Sequence, residues 1–320
     1  MVTGVGAIIG YGALRSLRAA RPDLRLLGTD IYLDAVGRAW CDAFEQAPLT
    51  ASPDYLPWLR DVTAKHRVDL LMPCIEQDVH RLSDIREELT PCHFALALNT
   101  GRLISLSRDK WAMHEELEAI GEEVRIPSYI AGDFETLRAL LGLPFLLKPR
   151  RSYASKGLVR VQSREDFEPH SNRLGEVLLA QPIVGCDDQE YTVAVFGDGR
   201  GNACTSITLQ RRLSGEGATV KAWTRQFDSL DRTVARLCAC FKPIGPTNFQ
   251  FRRDGEKWKL LEVNPRISSA TSIRSAFGYN EAAMSVDYFL DGRVPSQPSL
   301  RSGFACRFIE DHVVYDRDHF

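Results

Sequence analysis

The sequence predicts an α/β N-terminal domain with a parallel sheet, followed by an α+β region of two subdomains. Three observations carry this prediction. Over the first hundred or so residues, short apolar runs alternate with helix-length periodic stretches, the pattern of βαβ units. Beyond Ser107, strand-like runs succeed one another with turn signals such as Asp198-Gly199 and Asp254-Gly255 between them. Near the C-terminal end, Leu261-Glu262-Val263-Asn264 alternates apolar and polar residues with the period of a strand. The expected divisions are 1–106, a smaller lid-like unit over 107–182, and a larger unit over 183–320 that carries the polar strand.

Each element follows from its residues. The helical patterns Ala7 to Ala20 and Tyr55 to His66 alternate with the apolar runs Leu24 to Thr29 and Val68 to Pro73. Gly4, Gly6, Gly10 and Gly12, with Asp30 after the second run, resemble a dinucleotide fingerprint, but the spacing Gly4-x-Gly6-x-x-x-Gly10 departs from it. A turn that packs helix on strand fits those glycines better than a nicotinamide site. Glu76 stands where a parallel strand opens into a loop, a usual place for ligands, or caps the next helix. A new helical segment begins at Ser107-Arg108-Asp109-Lys110, runs through Trp111 and Leu117, and ends at Gly121. Asp133 is expected to cap a short helix to Leu141, Pro144 to Pro149 to form an apolar strand, and Ser163 with Asp166 to open a further helix. Strands over Val177 to Ile183 and Tyr191 to Phe196 follow.

Composition narrows the function. The 320 residues are 44% hydrophobic and 26% charged with a net charge of -2, an ordinary globular balance without a basic surface. Nucleic acid is therefore not an expected partner. No apolar stretch approaches a membrane span, and the start lacks the layout of a signal peptide, so a cytoplasmic protein acting on small molecules is expected. Eight scattered cysteines without a Cys-x-x-Cys pair, and seven histidines without metal-ligand spacing, argue against zinc sites and disulfide frameworks.

Two segments carry candidate chemistry. On the strand ending at Asn264, Glu262 and Asn264 share a face, backed by Leu261 and Val263 on the other. Gln250, on the preceding strand Thr247 to Phe251, joins them or not according to the connecting loop. A two-residue loop would place Gln250 opposite Glu262; a three-residue loop over Asp254, Gly255 and Glu256 sets Phe249 beside Leu261 and Gln250 beside Leu260. Apolar pairing favours the three-residue loop. One carboxylate with two amide oxygens suits a hard cation such as Mg²⁺, with Mn²⁺ as an alternative, and such a cation usually carries phosphates. Arg266 adds a planar donor fork for phosphate or carboxylate oxygens. In the second segment, Lys148 ends an apolar strand before a loop with Ser152, Ser155, Lys156 and Gly157, groups able to surround a polyphosphate. The extended run Gln181-Pro182-Ile183-Val184 offers backbone to an adenine edge, and Glu190 an acceptor for ribose hydroxyls.

Taken in order, Asp109-Lys110, Leu147-Lys148-Pro149-Arg150, the loop to Gly157, Gln181 to Val184, Glu190-Tyr191-Thr192, Asn248 to Phe251 and Leu261 to Arg266 resemble the ATP-grasp superfamily. The similarity is to single-copy proteins like half of the carbamoyl phosphate synthase large chain, and Val2 to Gly6 with Met72 to Glu76 resemble the domain that precedes ATP-grasp there. The resemblance implies a two-subdomain ATP-grasp fold, with Lys110 and Lys148 on nucleotide phosphates and Ser152 to Gly157 as a flap over them. It further implies adenine contacts from Gln181, Pro182, Ile183 and Val184, and ribose contact from Glu190. Gln250, Glu262 and Asn264 would hold Mg²⁺, and Arg266 would stabilise the transferred phosphoryl group. Relatives use an arginine near Arg211 and Arg212 for an acidic substrate group, and Arg212 is taken here as the catalytic candidate. The implied activity is an ADP-forming carboxylate–amine ligase working through an acyl phosphate, with small-molecule carboxylate and amine substrates and room for a homodimer. Tyr153 and Ala154 depart from glycine-rich flaps, and Ser269 stands where carbamoyl phosphate synthases have arginine, so a different substrate is expected. An ATP-binding protein without turnover, and a nicotinamide-dependent oxidoreductase resting on the N-terminal glycines, are the competing expectations.

Overall fold

The computed structural model describes residues 1–151, 157–215 and 217–315. Its first sheet is parallel. Strands β1 (Val2–Thr3), β2 (Leu27–Asp30) and β3 (Ala43–Gln46) lie in the order 3-2-1, and a parallel bridge from Val2 to Met72 carries the sheet on to β4 (Leu70–Leu71) and β5 (Ala95–Leu96). Helices α1 (Ile8–Ala20), α2 (Tyr55–His66), α3 (Glu76–Asp84) and α4 (Gly101–Arg108) accompany these strands.

The glycine turn works by close packing. A Cβ on Gly10 would sit 2.2 Å from the Gly4 carbonyl oxygen, so α1 approaches the turn as only glycine permits. The Gly6 amide donates to Asp30 Oδ2 at 2.7 Å and the Tyr32 amide to Asp30 Oδ1 at 3.1 Å. A carboxylate from β2 thus occupies the amide that a pyrophosphate would need, which removes the physical basis of the nicotinamide expectation.

The segment expected as one helix from Ser107 is two, since α4 ends at Arg108 and α5 spans Lys110–Ala119. Asp109 makes the break because its side chain caps α5, accepting from the Trp111 amide at 2.9 Å. It also holds Arg150 at 3.1 and 2.8 Å, joining α5 to the end of β6 (Phe145–Pro149). Helix α6 (Phe134–Leu141) starts at Asp133 as expected, and Ser163 with Asp166 forms a capping box on α7 (Arg164–Phe167). The antiparallel order β7 (Val159–Val161), β6, β8 (Leu178–Pro182) closes over a core of Phe134, Phe145, Leu147 and Phe167.

The largest sheet is antiparallel and six-stranded, in the order β13 (Lys257–Asn264), β12 (Ile244–Asp254), β9 (Glu190–Asp198), β10 (Ala203–Leu213), β11 (Thr219–Arg225), β14 (Phe304–Cys306). One face, with Tyr191, Val193, Phe249 and Val263, packs on α8 (Asp228–Phe241) through Leu230, Val234 and Leu237 and on α5 through Met113 and Leu117. Ala194, Phe196, Ile207 and Leu209 on the other face meet residues from α9 (Thr271–Ala276) and α10 (Glu281–Phe289).

The β12–β13 loop corrects the expected register. It has two residues, Gly255 with φ +58° and Glu256, because Asp254 pairs with Lys257. A shift between Gln250 and Phe251 leaves Leu261 as a bulge, so Gln250 stands opposite Glu262 and Asn248 opposite Asn264. The pairing of Phe249 with Leu261 does not form; Phe249 faces Val263 instead. The bulge lets Phe251 and Leu260 enter the same core as Phe249 and Val263 while the polar residues keep the opposite face.

One ion pair ties the first sheet to the last. Arg266 donates to Glu76 Oε2 from Nε at 2.9 Å and Nη2 at 2.6 Å, and both side chains are half-buried. Burial opposes ionisation of Glu76, but Arg266 and His80 outweigh it and bring its pKa down to about 2.

Two outcomes follow from this packing. Gly10→Ala is expected to destabilise the chain by about 2 kcal/mol or more in urea unfolding, since the added methyl meets backbone that has no room to yield. Glu76→Gln is expected to cost about 2 kcal/mol at pH 7 by leaving Arg266 unpaired. Because the folded pKa lies below the unfolded 4.5, the wild-type advantage is complete above pH 4.5 and fades as pH falls through about 2, which urea curves at pH 7, 4 and 3 would follow.

Candidate active site

Strand alternation gathers the site. Thr192, Asn248, Gln250, Glu262 and Asn264 occupy neighbouring positions on one face of β9, β12 and β13. A fully buried arginine supports them from below. Arg274 donates to Glu281 at 3.0 and 3.3 Å, to Thr192 Oγ1 at 3.0 Å and to Asn248 Oδ1, which also accepts from Thr192. These bonds fix the Asn248 oxygen, and its Nδ2 is buried without a partner.

Facing this polar strip are Lys110 at the start of α5 and Lys148 near the end of β6. Lys110, Gln181 and Glu262 line one narrow cleft of about 40 Å³ together with His114, Ser128 and Leu260. Gln181 is buried and donates to Ser128 Oγ at 2.7 Å. Lys148 is half-buried, and desolvation, reinforced by Lys110 and Arg252, lowers its pKa to about 8 against the pull of Glu262 and Glu190. Burial likewise lowers Lys110, with Glu262 and Glu76 opposing. Glu262 itself is pushed up by burial despite Lys110. The three groups therefore sit close enough to feel one another's charge in a region that water solvates poorly.

The remaining expected residues fall as follows. Arg266 joins the strip, donating to Asn264 Oδ1 at 3.2 Å while held by Glu76. Glu190 is buried with both oxygens engaged, Oε1 by Arg211 at 2.9 Å and Oε2 by Arg252 at 3.2 and 3.1 Å. Val184 is buried, Pro182 half-buried, and Ile183 lines a separate groove beside Gly255. Gly157 is exposed with φ +75°; Ser152, Ser155 and Lys156 lie outside the described residues.

Arg212 lies apart from the polar strip. It is exposed and pairs with Asp188 at 2.7 Å, whereas its neighbour Arg211 is buried on the polar face and donates to Gln250 Oε1 at 2.7 Å. Ile207, Leu209 and Arg211 share one side of β10, so the apolar alternation leading into the arginine pair is the sequence signal that selects Arg211. Asp109 and Arg252 give no such signal, because their partners Arg150 and Glu190 are distant in sequence.

The donor set fits a hard divalent cation. Gln250, Glu262 and Asn264 bring one carboxylate and two amide oxygens to adjacent positions on two strands, each amide oxygen keeping one lone pair beside the bond it accepts from Arg211 or Arg266, while burial raises the Glu262 pKa against the pull of Lys110. Among the described residues no cluster of histidine, cysteine, aspartate and glutamate competes for a softer metal.

Comparison with known proteins agrees with this architecture. A family described as "ATP-grasp in the biosynthetic pathway with Ter operon" matches residues 176–312. Carbamoyl phosphate synthase large chains from Agathobacter rectalis and Thermotoga neapolitana are 23% and 21% identical over 88% and 96% of this chain. The chain spans only 28% and 30% of their lengths. N5-carboxyaminoimidazole synthetase from Staphylococcus aureus, solved with ADP, superposes with a TM-score of 0.72 at 18% identity, covering 93% of this chain and 78% of its own. Biotin carboxylase from Campylobacter jejuni in its β,γ-ATP complex gives 0.72 at 16% identity, covering 93% and 72%. Residues 176–312 thus match an ATP-grasp family, the fold is that of N5-carboxyaminoimidazole synthetase and biotin carboxylase, and over most of its length the chain is similar to a stretch of the carbamoyl phosphate synthase large chain.

Proposed function

We propose that the chain is an ADP-forming carbon–nitrogen ligase that activates a small carboxylate with ATP and passes the acyl group to an amine. The observation that carries this reading is the meeting of Lys110 and Gln181 with Glu262 in one cleft, with Lys148 near enough to feel the charges of Lys110 and Glu262, and with Gln250 and Asn264 on the same strand face as Glu262. Relatives solved with ADP or an ATP analogue support the nucleotide. In the proposed reaction a carboxylate oxygen attacks the γ-phosphorus and the bond to the ADP oxygen breaks. The amine nitrogen then attacks the acyl carbon, phosphate leaves, and the nitrogen loses a proton. Lys110 and Lys148 would hold phosphate oxygens, and Arg266 would meet charge on the transferred group, exchanging part of its bond with Glu76 for it. Gln250, Glu262 and Asn264 would hold Mg²⁺, which supplies charge neutralisation of the phosphates. Arg211, buried and bonded to Gln250, would steer an acidic group rather than Arg212.

The test is phosphate release against pooled carboxylic acids and amines. ADP and phosphate are expected only with both present, whereas AMP and pyrophosphate would overturn the acyl phosphate route, and Mg²⁺-dependent ATP binding with no transfer to any acid would favour binding without turnover. Lys148→Met is expected to lower kcat by about a hundredfold with the fold intact by circular dichroism. Near pH 8 free Lys148 is partly neutral, and bound phosphates favour its charged form. ATP binding at pH 8 should therefore take up part of a proton and at pH 6 almost none. Calorimetry in buffers of different ionisation enthalpy reads that uptake, and Lys148→Met should abolish it.

A further inference from the structure

Lys110 and Lys148 stand on elements that share no sheet, the first opening α5 and the second one residue before the end of β6. A closed ring of bonds around Asp109 sets them side by side. Asp109 is extended, with φ -128° and ψ 112°, and its cap on the Trp111 amide makes Lys110 the first residue of a new helix rather than a continuation of α4. The Lys110 amide then donates to the Arg150 carbonyl oxygen at 3.0 Å. Two residues beyond Lys148, the Arg150 side chain returns to Asp109, Nε on Oδ1 at 3.1 Å and Nη2 on Oδ2 at 2.8 Å. Arg150 also donates from Nη1 to the Gly175 carbonyl and from its amide to the Val177 carbonyl at 2.8 Å, which ties the ring to the strand beside β6.

The pair is of the kind that holds geometry. Its side chains are 9% and 19% exposed and meet in two parallel bonds, unlike the solvated pairs elsewhere on the surface. Burial opposes ionisation of Asp109, but Arg150 and the Trp111 amide outweigh it and keep its pKa below the ordinary value. The two ammonium groups repel each other, since Lys110 adds to the burial that lowers Lys148, so the elements that bear them need a tie of their own. Neither Asp109 nor Arg150 lines the cleft that Lys110 shares with Gln181 and Glu262. We propose that Asp109 and Arg150 form a positioning clasp, which holds Lys110 and Lys148 at one spacing for neighbouring phosphates of a bound nucleotide without touching the nucleotide. The clasp rests on the reading of these lysines as phosphate holders.

Calorimetry of ADP binding to the full chain with Mg²⁺ tests it. Asp109→Asn keeps an oxygen for the cap but not the charge, and Arg150→Lys keeps the charge but not the planar fork. Each is expected to weaken ADP binding about tenfold. The double variant should also lose about tenfold rather than a hundredfold, because the two side chains make one contact. With Lys148→Met in place there is no spacing left to set, and either clasp variant should then cost no more than about twofold. ADP affinity unchanged in both single variants overturns the inference, and so does a full tenfold loss that persists beside Lys148→Met, the mark of a merely structural role. Those outcomes leave the nucleotide reading standing, since the wild-type chain still binds ADP. A wild-type chain without affinity for ADP overturns the nucleotide reading and the clasp together.

Discussion

The bulge at Leu261 is the constraint on which the candidate site depends. The side-chain period of a strand is two, so without the extra residue the β12–β13 pair would have to choose between burying Phe251 with Leu260 and aligning Gln250 with Glu262. With it, the turn-proximal half keeps its aromatic packing around Trp258, Tyr191 and Phe227, and the distal half keeps its polar face. The hydrophobic effect sets the register on one side of the sheet, and the position of the side-chain oxygens of Gln250, Glu262 and Asn264 on the other side is its by-product.

The electrostatics of the site follow from how that polar face is enclosed. Lys110, Lys148, Arg211, Arg252, Arg266 and Arg274 are six cationic side chains against four carboxylates, Glu76, Glu190, Glu262 and Glu281. Three of those carboxylates are consumed by arginines, leaving the lysines with Glu262 alone as a common neighbour. Burial, with Lys110 and Arg252 adding to it, lowers the Lys148 pKa to about 8.

Much of this was legible in the sequence, and the rest was hidden for definable reasons. Alternation about Val263 disclosed the face of Glu262 and Asn264, apolar runs disclosed the strands bearing Lys148 and Gln181, and cap residues Asp133 and Ser163 marked their helices. Loop length was not legible. Asp254-Gly255 signals a turn without fixing how many residues it holds, and local pairing of Phe249 with Leu261 looked better than the bulge that long-range packing imposes. The choice between Arg211 and Arg212 turned on parity along β10, which required knowing that Leu209 faces inward. Asp109 stands out beside Lys110 and Arg274 as a lone arginine, but what each holds is set by partners brought near only by the folded chain.

The bond between Glu76 and Arg266 has a consequence for how the molecule comes into being. Its partners are 190 residues apart, so the arginine corner cannot be assembled until the first parallel sheet and the last antiparallel strand have both formed and met. A nascent or partly folded chain that has completed only one of them lacks an anchored Arg266. The anchored Arg266 is thereby reserved for the finished molecule, a dependence written into chain connectivity.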